Sequence, residues 1–297
     1  MHTGFGSIVT AAVTPFDASG QVDHDAFRAV LRHLARTGSD AVVVSGTTGE
    51  SPTLSDEEKL ALWRTAVDEL GGSIPVIAGA GTNDTAHSVH LVRAACEIGV
   101  DGILAVTPYY NKPPREGLVR HFTCIAKASS APVILYNIPS RVVVNLEPDL
   151  IAELAQLDNV VAVKQANPDV AQTGEIASLA PDLVIYAGDD TSLMPMLPLG
   201  AVGVISVAAH LIGSEMGRVV ELYAAGDDSA ARELSAELQD VYETMMLTAN
   251  PIPVKAAMEL LGFAVGDPRL PLVAATGLQR EKIRAMLERH NVASAHV

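Results

Sequence analysis

The sequence has 297 residues, 48% of them hydrophobic, with 35 acidic side chains against 20 basic ones and a formal net charge of −15. That balance argues against nucleic acid and anionic membrane as partners, since both need clustered Lys and Arg. It leaves room for an anionic small molecule, because one Arg or Lys can reverse the field inside a pocket. No apolar run is long enough to span a bilayer, and no basic stretch leads into an apolar segment at the N-terminus, so neither a membrane span nor a signal peptide is expected. Cys96 and Cys124 fall in helical segments and read as buried thiols, neither a disulfide frame nor a metal clip. A reducing cytoplasm is the expected location.

In chain order, short apolar runs alternate with helical stretches. Strands are predicted over residues 7–13, 40–44, 75–78, 102–106, 132–136, 160–164, 183–187 and 203–206. Amphipathic helices fall between them, among others over 23–37, 55–70, 84–98 and 115–128. The stretch "LSDEEKLALW" carries its own start signal, with Ser55 as N-cap, Glu58 three residues on and acidic residues in the first turn. Alternating βα units imply a parallel sheet with helical crossovers, and the nearly continuous apolar runs imply strands covered on both faces. Eight units over residues 1–225 predict an α/β fold, a closed (β/α)8 TIM barrel forming the catalytic domain. An open doubly wound sheet is the alternative. It would ordinarily place a glycine-rich phosphate loop after its first strand, and "TPFDASGQ" is a poor one. Beyond Ala225 the strands stop, and three further helices are predicted over 226–297, with breaks at Asn250 and Pro251 and from Gly266 to Pro268.

Active sites of (β/α)8 barrels gather at the C-terminal ends of the strands. Those ends read "SGTTGES", "TPYYNKPP", "YNIPSR", "KQAN", "GDD" and "ISVAAH". The sixth strand runs through Val160, Val161, Ala162 and Val163 into Lys164, whereas Lys59, Lys112, Lys127, Lys255 and Lys282 fall in polar or helical surroundings. Lys164 either snorkels from the strand end to solvent or presents an enclosed amine to a carbonyl. In the second case desolvation leaves more free amine, and the imine formed is an electron sink that lets the neighbouring carbon lose a proton.

The other pieces also carry two readings each. "GTTGES" is either a helix-entry turn or a cradle of N–H and hydroxyl groups for a small carboxylate. Tyr109 and Tyr110 suit interface packing, Tyr136 suits a core, and Arg141 is either a solvated loop residue or a bidentate carboxylate partner. The histidines are scattered and show no paired ligand spacing. His87 and His90 share a helix face without an apparent third ligand, so a metal-free mechanism is favoured.

Through these blocks the sequence resembles the dihydrodipicolinate synthase (4-hydroxy-tetrahydrodipicolinate synthase) family of pyruvate-dependent class I aldolases. The resemblance covers the whole chain, through "AAVTPF", "VVSGTTGESPTLS", "VIAGAGTNDTAHS", "VTPYYNKPPREGLVRHF", "LYNIPSR", "VVAVKQAN", "AGDD", "GVISV" and "DPRLPL". It implies a lyase of lysine and diaminopimelate biosynthesis that condenses pyruvate with aspartate semialdehyde. It also implies no cofactor beyond the covalent imine, and a homotetramer built as a dimer of dimers. Lys164 would form the imine, and Tyr136 would shuttle protons beside it. Thr47 would link Tyr136 to Tyr110, which reaches in from a neighbouring subunit. Thr48 would hold the pyruvate carboxylate, Arg141 would grip the carboxylate of the second substrate, and Gly188 and Ile205 would line the site through backbone groups.

Within the superfamily, "GTTGE" and Arg141 favour the synthase over relatives that cleave a 2-keto-3-deoxy sugar acid or N-acetylneuraminate. A silent paralogue that only binds a keto acid is disfavoured by the intact set of Thr47, Tyr110, Tyr136 and Lys164. Two departures stand out. Gln165 occupies a position where the family commonly has an acidic residue, which would remove a negative charge beside the imine. Asp56, Lys59 and His87 occupy positions where lysine-inhibited members carry histidines and a glutamate, which implies weak or absent inhibition by L-lysine.

Overall fold

The computed structural model describes residues 4–292. Eight strands, β1 (Ile8–Ala11), β2 (Ala41–Val44), β3 (Val76–Gly79), β4 (Gly102–Val106), β5 (Val133–Asn137), β6 (Val160–Gln165), β7 (Val184–Ala187) and β8 (Ala201–Ser206), pair in chain order and close on themselves. Every pairing is parallel, including the one that returns β8 to β1. The first strand is shorter than its apolar run because the Val13 N–H turns away to the ring of His210, 3.2 Å off.

The strands are apolar on both faces because each face meets a different core. Val9, Val43, Ile77, Leu104, Ile134 and Ile205 point into the barrel, and Phe5, ahead of β1, joins them. Residues one step along, such as Val42, Val44, Ala78 and Ile103, pack outward under the helices.

Those helices are α1 (His24–Arg36), α2 (Asp56–Leu70), α3 (Thr85–Ile98), α4 (Arg115–Ala128), the one-turn α5 (Pro139–Val142), α6 (Pro148–Leu154), α7 (Ala171–Leu179), the one-turn α8 (Leu193–Met196) and α9 (Ala209–Ala224). The start of α2 is as the sequence predicts. The Ser55 hydroxyl accepts from the Glu58 N–H at 3.2 Å, and the Glu58 carboxylate accepts from the Ser55 N–H at 2.8 Å. One turn on, Trp63 is fully buried and donates its indole N–H to Ser45 at the end of β2, 2.8 Å away, which ties the helix to a site loop.

After α9 come α10 (Asp228–Glu237), α11 (Gln239–Met245), α12 (Ile252–Leu260) and α13 (Gly277–Arg289). The first of the three predicted segments is therefore divided at Leu238, which stays right-handed (φ −85°, ψ −7°), so the chain bends without unwinding. Helix α12 packs on the barrel itself, since the Lys255 ammonium donates to the carbonyls of Thr14 at 3.1 Å and Asp267 at 3.2 Å.

The two cysteines are not the buried thiols expected. Cys124 is exposed and Cys96 half-buried. The buried stripe of α4 is Leu118, His121, Phe122 and Ile125, and position 124 falls off that stripe.

Candidate active site

Strand alternation decides where β6 sends its last two side chains. Ala162 packs inside the barrel and Val163 outside, so Lys164 points inward and Gln165 outward. Lys164 pairs in register with Tyr136 on β5 and Tyr186 on β7, both in the inner cluster. It is 6% exposed, its Nζ lies 4.5 Å from the centre of the Tyr136 ring, and no carboxylate of the described residues pairs with it.

Lys164 is not the only buried lysine, contrary to what the sequence suggests. Lys255 is 2% exposed, but its ammonium sits 3.0 Å from the Glu50 carboxylate. Burial pulls Lys255 below the usual lysine value, and Glu50 opposes the shift. What distinguishes Lys164 is burial beside a phenol without a counter-ion.

Gln165 is fully buried on the other face, where it joins a network of amides. Asn137 donates to both the Gln165 and the Asn145 side-chain carbonyls at 2.8 Å, and accepts from the Leu146 N–H at 3.0 Å. Asn167 and Asn145 each donate to Gln172 at 3.1 Å. The residue after the lysine thus faces away from the Lys164 amine. Its role here is to tie the ends of β5 and β6 to the segment that follows α5.

The loop after β2 places Thr47 half-buried and Thr48 2% exposed. Neither donates its backbone N–H within the described residues, which suits an anion cradle. Glu50 holds the loop's end in a left-handed conformation, φ +57°. Thr47, Tyr136 and Arg141 line a cavity of about 450 Å³ together with Tyr109, Ile138 and Leu104. Arg141 lies exposed on α5, the one-turn helix that replaces the expected loop.

Tyr110 stands outside the cavity, 89% exposed at φ +74°, and makes no hydrogen bond to Thr47 within the chain. Ile205 is buried in the inner cluster beside Val9. Gly188 donates its N–H to the Gln165 carbonyl at 2.8 Å, and a Cβ there would come within 2.5 Å of Ala166. Only glycine fits between the ends of β6 and β7.

The cavity also extends to Asp56, Lys59 and His87. The His87 ring is hydrogen-bonded to the Asp56 carboxylate at 2.9 Å. Lys59 is 6% exposed, and burial lowers its pKa against the pull of Asp56. Among the described residues no cluster of three His, Cys, Asp or Glu side chains could hold a metal ion, and no helix is long and apolar enough to cross a membrane.

The family model for the dihydrodipicolinate synthetase family matches residues 4–290. The chain belongs to that family. A 4-hydroxy-tetrahydrodipicolinate synthase of Desulforudis audaxviator is 46% identical over 97% of this chain and 98% of its own. Among solved structures, a dihydrodipicolinate synthase of Bacillus anthracis superposes with a TM-score of 0.93 at 41% identity, covering 96% of this chain and 98% of that one. One from Cyanidioschyzon merolae, with lysine bound, superposes at 0.96 and 40%, covering 98% and 100%.

Membership of the dihydrodipicolinate synthetase family does not by itself bring out three features of the site. Asn250 donates to the Thr48 hydroxyl, Lys255 neutralises Glu50, and Arg269 donates its N–H to Glu50 at 2.8 Å and its guanidinium to Glu58 at 2.8 Å. The sequence marks Asn250 only as a helix break and Lys255 only as one of several helical lysines. Their partners lie some 200 residues away, so no local pattern reveals them.

Proposed function

We propose that this chain condenses pyruvate with L-aspartate 4-semialdehyde to give 4-hydroxy-tetrahydrodipicolinate. The observation that carries the reading is Lys164, an inward-facing, buried amine against Tyr136 at the C-terminal end of the barrel, with no carboxylate partner among the described residues. Its nitrogen attacks the pyruvate carbonyl, and loss of water leaves an imine. The pyruvate methyl then gives up a proton, and the resulting enamine carbon attacks the aldehyde of the second substrate. The amino group of that substrate closes the ring on the imine carbon and frees Lys164. One water leaves for each pair of substrates joined.

Thr48 and the loop N–H groups hold the pyruvate carboxylate, and Arg141 grips that of the aldehyde. Tyr136 moves protons beside the imine. Tyr110 is too exposed to act within its own subunit, so Thr47 reaches it only across a subunit contact. The assembly that provides this contact is a homotetramer in the cytoplasm, and dilution to monomers abolishes the relay. Aspartate semialdehyde should therefore be turned over as acceptor and sugar-derived aldehydes should not. Faster turnover of a polyol aldehyde would favour a sugar-acid aldolase instead.

Feedback by L-lysine is weak or absent in this reading. The ammonium of a lysine ligand would meet the Lys59 cation, and the nearby Asp56 carboxylate is already engaged by His87. Calorimetry should show no tight lysine binding; a tight complex would sink this part of the proposal.

A further inference from the structure

We infer that Asn250 is a positioning residue for pyruvate, donating to Thr48 Oγ1 so that the Thr48 proton is left for the substrate carboxylate. The inference rests on the reading above, in which Thr48 holds that carboxylate. A threonine hydroxyl has one proton and two lone pairs, and its partners decide where the proton points. Asn250 Nδ2 lies 2.9 Å from Thr48 Oγ1, and an amide N–H can only donate, so the hydroxyl accepts. Thr48 is 2% exposed, and among the described residues nothing accepts its proton. A buried donor without an acceptor is unfavourable unless something arrives to take it. The carboxylate of the keto acid is a strong acceptor of the right charge. The other end of the same amide, Asn250 Oδ1, is buried with no partner among the described residues.

The surrounding contacts hold the loop but do not touch this hydroxyl. Glu50 Oε1 lies 3.0 Å from Lys255 Nζ, and Glu50 Oε2 accepts from the Arg269 N–H at 2.8 Å. The Thr14 hydroxyl donates to the Gly49 carbonyl at 2.7 Å, and the Thr14 carbonyl accepts from Lys255 at 3.1 Å. The segment from Asn250 to Arg269 therefore holds three successive residues, Thr48, Gly49 through Thr14, and Glu50. Of these contacts, only the one from Asn250 reaches a side-chain hydroxyl of the loop. An aspartate at position 250 reverses the polarity, because its carboxylate accepts from Thr48 and draws the proton away from the substrate.

The test measures the pyruvate concentration for half-maximal borohydride trapping, and KM for both substrates, in Asn250→Ala, Asn250→Asp, Thr48→Val and the Thr48→Val/Asn250→Ala pair. Asn250→Ala should raise half-saturation by pyruvate roughly 10-fold, and Asn250→Asp further, with KM for the aldehyde within about two-fold of wild type. The double variant should be little worse than Thr48→Val alone, since both remove one interaction. Wild-type pyruvate dependence in Asn250→Asp would overturn the inference. So would equal losses for both substrates, or losses that add in full in the double variant. If Thr48→Val leaves pyruvate binding unchanged, the carboxylate assignment fails and takes this inference with it. If Thr48→Val weakens pyruvate and Asn250→Asp does not, the inference alone fails. Should Asn250→Asp not fold, the cycle between Asn250→Ala and Thr48→Val reads the same coupling.

Discussion

In the proposed function, Arg141 and Lys164 divide the chemistry between them. The arginine lines the cavity from α5 and is exposed, and the lysine is buried against Tyr136, whose ring lines the same cavity. An exposed arginine that grips a carboxylate contributes to binding the second substrate and not to forming the imine. Arg141→Ala should raise KM for aspartate semialdehyde on the order of 10- to 100-fold, the equivalent of about 1.5–3 kcal/mol for hydrogen bonds to charged groups. Pyruvate trapping should be unaffected. Steady-state kinetics beside a trapping assay separate the two effects, and a loss of trapping would place Arg141 on pyruvate instead. At this scale the sequence was legible for Lys164, because a cation ending an apolar strand is conspicuous. It misled at Gln165. A neighbour in sequence is not a neighbour in space here, because in a strand the next residue faces the other way.

Among the elements, α12 matters most to the site despite lying outside the barrel. Its Lys255 and the loop's Glu50 are both almost wholly buried, 2% and 1% exposed at the side chain. Removing one partner of such a pair leaves the other charge without compensation. Lys255→Met should cost about 3–5 kcal/mol in a urea melt, and adding Glu50→Gln should recover part of that loss. Wild-type stability in the single variant would show that the pair is not held as described. The eight strands were readable from their two-sided burial, and α2 from its capping box. The one-turn α5 and α8 were not, since four residues give no helical period. The bend at Leu238 was hidden because both flanking helices continue the same apolar pattern. The α12 contacts were out of reach for a different reason, since sequence patterns report local structure and these partners are distant.

For the molecule as a whole, acid stability follows from histidines buried in neutral form. Burial lowers His210 to about 4, with His33 adding to the shift and the Val207 carbonyl opposing it. The His210 ring donates from Nδ1 to Val207 and accepts the Val13 N–H at Nε2, so a second proton would displace the latter bond. Burial likewise lowers His121 to about 4, against the pull of Asp84. Both rings bind protons more weakly folded than unfolded. Their neutral forms leave stability intact above pH 6.5, and stability falls as pH drops from there toward 4. The loss is on the order of 3 kcal/mol for each ring by pH 4. Thermal melts between pH 7.5 and 4.5 should show this decline, and His210→Gln, which keeps an acceptor for Val13, should make it shallower. An unchanged slope in that variant would remove His210 from the account.

The whole account depends on the amine of Lys164 reaching pyruvate. The direct measurement is incubation with pyruvate, reduction with borohydride and mapping of the adduct by mass spectrometry. The account predicts one pyruvate-derived adduct per chain, on Lys164, lost in Lys164→Ala. An adduct on Lys59 or Lys255, or none on the wild-type protein, would contradict it.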